Sequence, residues 1–83
     1  MSKTLHLEIV NPAGKVYKGE VNMLIARAIN GELGVLPGHA PLVALLAARQ
    51  VRLLTEEGEQ QIMVQGGILQ VKPDSKVTIL TSG

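Results

Sequence analysis

The sequence predicts an all-β domain, a small β-sandwich or flattened barrel of about ten short strands. Three observations carry the prediction. Apolar and polar residues alternate with period two in several short runs, Gly, Pro, Asn and Asp interrupt those runs every few residues, and 83 residues make one small domain. The core must be aliphatic, because Tyr17 is the sole Phe, Tyr or Trp residue while Leu, Val and Ile are abundant.

Thr4 to Val10 alternates, with Leu5, Leu7 and Ile9 on one face and His6 and Glu8 on the other, the pattern of a half-buried strand. Asn11-Pro12-Ala13-Gly14 ends it. Val16 to Glu20 reads as a second strand broken by Gly19, and Val21 to Ile29 as a third, with Val21, Met23, Ile25 and Arg27 sharing one face. An arginine on that face points to an edge or rim. The stretch from Asn30 to Leu42 then holds Gly31, Gly34, Gly38, Pro37 and Pro41 together with Glu32 and His39, so the backbone must bend repeatedly. Asn30-Gly31 is a type I′ hairpin signal, since both residues tolerate positive φ, and Pro37-Gly38 suits the central positions of a type II turn. Glu32 to Leu36 is a short strand between them.

Pro41 to Leu54 reads two ways. Leu42-Val43-Ala44-Leu45-Leu46-Ala47-Ala48 has high helix propensity and neither Gly nor Pro, so pattern alone favours helix slightly over strand. Val51 to Thr55 is a strand, and Glu56-Glu57-Gly58-Glu59 is a hairpin tip leading to Gln60–Gln65, where Ile62 and Val64 face inward. The acidic tip reads as a solvated turn that discourages edge pairing, in preference to a cation site. Gly66-Gly67 precedes a strand over Ile68–Lys72, and Pro73-Asp74-Ser75 turns into a last strand over Lys76–Thr81. There is no internal repeat, low-complexity tract or linker.

Several function classes are excluded by composition. A net charge of +1, scattered Lys and Arg, and almost no aromatic surface leave neither a phosphate footprint nor a stacking platform, so nucleic acid is set aside. His6 and Glu8 interrupt the first apolar run, unlike a signal peptide, and no apolar stretch is long enough to span a bilayer as a helix, so a cytoplasmic protein without direct membrane insertion is expected. No cysteine is present, and His6 and His39 sit in no metal-ligand spacing, so no metal or cofactor is expected. The glycines at 31, 34 and 38 have the wrong spacing for a phosphate cradle. Ser2, Ser75 and Ser82 lie near the termini or in a turn without an acid-base partner, and no active site is expected. Read alone, Glu32 is a solvated carboxylate and His39 bonds local backbone.

The string GELGVLPGHAPL, Gly31 to Leu42, resembles the signature of the epsilon subunit of F-type ATP synthases (delta in mitochondria), in its N-terminal β-sandwich domain. The likeness continues through His6–Val10, Val16–Val21, Gly66–Val71 and Val77–Leu80. The resemblance implies a strand, a turn and a strand after the signature, in place of a helix; the family usually has a Gly in that turn, where this chain has Ala48-Arg49-Gln50. It also implies a non-catalytic central-stalk subunit at the cytoplasmic face of the membrane, linking the gamma subunit to the c-ring and coupling ion translocation to ATP synthesis. In the family one sheet face packs on gamma, and the signature loop meets ring loops that are usually basic. The matching positions are Gly31, Glu32, Leu33, Gly34, Pro37, Gly38 and His39 for the ring, and Asn11 and Val43 for gamma. Most bacterial and chloroplast relatives continue into two helices that can restrain ATP hydrolysis and in some bind ATP. This chain stops at Thr81-Ser82-Gly83, so a single domain over 1–83 without that helical hairpin is expected, whether naturally short or excised. Two other readings stand beside it. A free-standing β-sandwich module for carbohydrate or peptide lacks the aromatic platform sugars need, and a small hydrolase using His39 and Glu32 lacks a nucleophile or metal.

Overall fold

The computed structural model describes residues 4–82, and nine strands run through them. They are β1 (Leu5–Asn11), β2 (Gly14–Val21), β3 (Met23–Ala28), β4 (Gly31–Val35), β5 (Leu42–Leu46), β6 (Gln50–Thr55), β7 (Gly58–Met63), β8 (Gly67–Lys72) and β9 (Lys76–Leu80). No described residue is helical. The hydrogen-bonded order is β2-β1-β9-β8-β5-β3-β6-β7, with β4 on β3. All neighbours are antiparallel except β1 and β9, which run parallel.

The sheet folds over where β5 leaves β8 and meets β3, through the single pair Ala28 and Leu46. On either side of that corner lie a layer of β2-β1-β9-β8-β5 and a layer of β4-β3-β6-β7. Alternation decides what fills the space between them. Leu5, Leu7, Ile9, Leu69, Val71, Val77 and Ile79 from the first layer and Leu24, Ala26, Val35, Val51, Leu53 and Val64 from the second form one buried cluster. Each such Leu, Ile or Val stabilises the fold by about 1.5–3 kcal/mol relative to exposure. This is the aliphatic β-sandwich that the sequence predicts, with Ile62 and Val64 directed inward as expected.

Three local expectations are corrected. The chain bends at Asn22, so Val21 closes β2 and the buried phase flips: β3 buries Leu24, Ala26 and Ala28, while Met23, Ile25 and Arg27 share the outer face. β2 is continuous through Gly19. The β3–β4 hairpin turns on Ile29-Asn30, not on Asn30-Gly31: Ala28 pairs with Gly31, Asn30 has no positive φ, and Gly31 opens β4 with φ 142°. The type I′ reading misplaced the loop by one residue, because the cross-strand pairs Leu24 with Val35 and Ala26 with Leu33 fix the register over the local turn signal. Residues 42–46 form the strand that the resemblance implies, in place of the helix that pattern alone favours, since pairing with β8 satisfies their backbone and alternation puts Leu42, Ala44 and Leu46 inward. β5 and β6 do not pair with each other; both lie along β3. Their connection is therefore a gradual bend, and Ala48 and Arg49 complete it without the left-handed backbone that would call for glycine.

Candidate functional site

The signature stretch divides into a strand and a turn. Gly31, Glu32, Leu33 and Gly34 belong to β4, an edge strand whose only partner among the described residues is β3. Glu32 is exposed and stands opposite Arg27, whereas Leu33 turns inward against the core. Gly34 faces out beneath Met23, whose methyl group would lie 3.2 Å from an added Cβ. Beside Glu32 an open cleft is lined by Asn30, Leu33, Leu42 and Ala44.

The turn follows at Leu36-Pro37-Gly38-His39. His39 N–H donates to the Leu36 carbonyl at 3.0 Å and Gly38 has φ 83°, the geometry of the type II turn that the Pro-Gly pair predicts. The half-buried His39 ring places Nδ1 2.7 Å from the Ala40 carbonyl, which assigns the proton to Nδ1 in the neutral ring. His39 and Glu32 make no polar contact with each other among the described residues. Ser75, which the sequence reading passed over as a turn residue, accepts a hydrogen bond from Gly38 N–H on its Oγ at 2.9 Å.

A second surface lies on the outer face of the β2-β1-β9-β8-β5 layer. Val10 stands opposite Leu80, Leu80 opposite Ile68, and Ile68 opposite Leu45, giving an unbroken apolar row across four strands. Leu45, Ile68 and Leu80 are 53%, 41% and 51% exposed, and Val43, on the same face of β5, is 67% exposed. Contiguous exposed side chains of this kind mark an interaction surface more often than scattered ones do. Val43, singled out from the sequence, lies on it. Asn11 instead accepts a hydrogen bond from Ala13 N–H on its Oδ1 at 2.9 Å, building the turn that ends β1 next to Val10. Only the cross-strand register brings this row together, although outward Val43 and Leu45 follow from reading residues 42–46 with period two.

On the outer face of the other layer, Arg52 makes a two-pronged pair with Glu59 at 2.8 and 3.2 Å, and Gln61 donates to the same carboxylate at 2.8 Å. The hydrogen bond from Arg52, and then that from Gln61, lower the Glu59 pKa to about 2. Glu59 therefore contributes stability that is present above its unfolded pKa near 4.5 and is lost as pH falls toward 2. Melting temperature followed from pH 5 to pH 2 should fall less in Glu59→Gln than in the parent chain, by a small margin because the pair is exposed. Among the described residues no group of three or more His, Asp or Glu could hold a metal ion.

The match to known proteins covers nearly the whole chain. A family model described as the β-sandwich domain of the ATP synthase delta/epsilon chain matches residues 4–83. The ATP synthase epsilon chain of Alkalihalophilus pseudofirmus is 49% identical over 77 residues, covering 93% of this chain and 57% of that relative. The epsilon chain of Priestia megaterium is 50% identical over 78 residues, covering 94% and 58%. The chain thus spans less than two thirds of the length of these relatives. Among solved structures, a chain of the Euglena gracilis mitochondrial ATP synthase OSCP/F1/c-ring assembly superposes with a TM-score of 0.92 at 26% identity, over 100% of this chain and 53% of that one. A chain of the Tetrahymena thermophila mitochondrial ATP synthase central stalk and c-ring shares the fold, with a TM-score of 0.79 at 12% identity, over 99% of this chain and 65% of that one.

Proposed function

The chain belongs to the delta/epsilon family of ATP synthase subunits, and on that premise we propose that it is a central-stalk component of a rotary ATP synthase, joining the gamma subunit to the c-ring. Its work is mechanical. It transmits torque between two partners at the cytoplasmic face of a bacterial membrane, without entering it, and performs no chemistry itself. The observation that carries this reading is the apolar row Val10, Leu80, Ile68 and Leu45 with Val43 beside it, a surface made for a protein partner and assigned here to gamma. Asn11 shapes the margin of that surface.

The signature residues supply the second contact. Gly31 to Gly34 form an exposed strand edge carrying Glu32, and Pro37, Gly38 and His39 form the adjoining turn. Glu32 gives charge complementarity to basic ring loops, an effect on orientation and specificity more than on bulk affinity. Glu32→Lys is expected to weaken coupling of ion flow to ATP synthesis in membranes. Its effect on the isolated domain is expected to stay below about 1 kcal/mol, since the side chain is exposed. ATP-driven proton pumping and ATP synthesis in reconstituted vesicles, set beside thermal melting, measure both. If Glu32→Lys and His39→Ala leave coupling and rotor assembly intact, the stretch is only a turn. Co-purification of the parent chain with gamma and the c-ring separates this reading from a free-standing binding module.

A further inference from the structure

We propose that Ser75 is a positioning residue: its hydroxyl, carried on the β8–β9 turn, holds the Leu36–His39 turn in its type II conformation. Asp74 and Ser75, with φ 67° and 59°, are the two non-glycine residues with positive φ among those described. Glycine is the cheapest residue for such a backbone. A serine there adds one group to what glycine would provide, and that group is in use: Oγ accepts the Gly38 N–H at 2.9 Å across thirty-seven residues of sequence. The Ser75 carbonyl meanwhile accepts the His6 N–H at 2.8 Å, so the same residue is tied to the start of β1.

The bond falls where it selects between two states. Type I and type II turns differ by a flip of the central peptide, here the one between Pro37 and Gly38, while the closing bond from His39 N–H to the Leu36 carbonyl is common to both. That closing bond therefore leaves the flip undetermined. The N–H of the central peptide is the atom whose direction reverses, and Ser75 Oγ holds it. Fixing the flip also fixes how the chain leaves toward His39 and Ala40. The turn is thus held from a different hairpin, one that is itself tied to the first strand.

The test separates backbone from hydroxyl. Ser75→Gly keeps the left-handed backbone at no steric cost and removes Oγ; Ser75→Asn keeps a residue that tolerates this backbone and offers Oδ1 as a replacement acceptor. Amide exchange with solvent, measured by NMR on the 83-residue chain, is expected to speed up at Gly38 by about fivefold in Ser75→Gly, the factor that one neutral hydrogen bond of ordinary net strength represents. Ser75→Asn should recover part of that protection, and the melting temperature of Ser75→Gly should not fall. The proposal is overturned if Gly38 exchanges in Ser75→Gly as it does in the parent chain, or if protection drops evenly across the domain. The consequence for coupling rests on the ring-facing reading above. A turn that loosens in Ser75→Gly while coupling in vesicles stays whole would count against that reading and leave the role of Ser75 standing.

Discussion

Gly67→Ala is expected to unfold the domain or bring it close to unfolding. Gly67 opens β8 with φ 126°, and a Cβ built there would lie against the Leu80 carbonyl oxygen, with the Leu80 carbonyl carbon and the Thr81 Cα each 2.9 Å away. All three atoms are backbone, so no side-chain rotation relieves the overlap. Either β8 or β9 must move, and both carry core residues, Leu69 and Val71 on one and Val77 and Ile79 on the other. Strain from the backbone alone costs about 1–3 kcal/mol, and the displaced strand adds to it. A domain of this length has about 4–12 kcal/mol in all. Gly58→Ala serves as the control, because Gly58 has nearly the same φ, 122°, with nothing within 4 Å of an added Cβ. Thermal melting should place Gly67→Ala at least ~15 °C below Gly58→Ala, given ~4–8 °C per kcal/mol for a chain of this size. Equal melting temperatures would show that the β8–β9 approach does not limit stability.

The second large effect is expected on assembly. Leu45 and Ile68 stand directly opposite each other at the β5 end of the exposed apolar row, beside Val43. Replacing both, as Leu45→Lys with Ile68→Glu, removes that apolar surface while placing opposite charges across the strand pair, which supports the β5–β8 pairing. Melting should change by no more than a few degrees. If the row is the gamma contact proposed above, binding to gamma should weaken by about a hundredfold or more, because two apolar anchors are lost and two charges must be desolvated on docking. A pull-down with purified gamma, calibrated by titration, reads this directly. Undiminished binding by a folded double variant would overturn the assignment of this row to gamma.

What could be read from the chain alone was what neighbours in sequence decide. Period-two alternation gave Leu5, Leu7 and Ile9 their common face, and Pro37-Gly38 signalled a turn there, because φ near −65° followed by a residue that tolerates positive φ suits a type II turn. The resemblance carried by Gly31 to Leu42 pointed to the partners proposed above, which no local physics of the strand could name.

The tertiary structure decided everything that depends on residues distant in sequence. Residues 42–48 favour helix by propensity, yet a strand already paired on β8 gives residues 42–46 a ladder of hydrogen bonds and an inner face to bury, gains that outweigh differences of a few tenths of a kcal/mol per residue. The hairpin at Ile29-Asn30 is set by the same kind of contest, since a loop one residue later would slide β4 along β3 and take Val35 from opposite Leu24 and Leu33 from opposite Ala26. The apolar row takes one residue from each of four strands, with β1 and β9 in parallel register, and the Ser75–Gly38 bond joins two turns. Neither leaves a pattern in the sequence, because each is created only when chain closure, driven by burial of the common core, sets separate strands side by side.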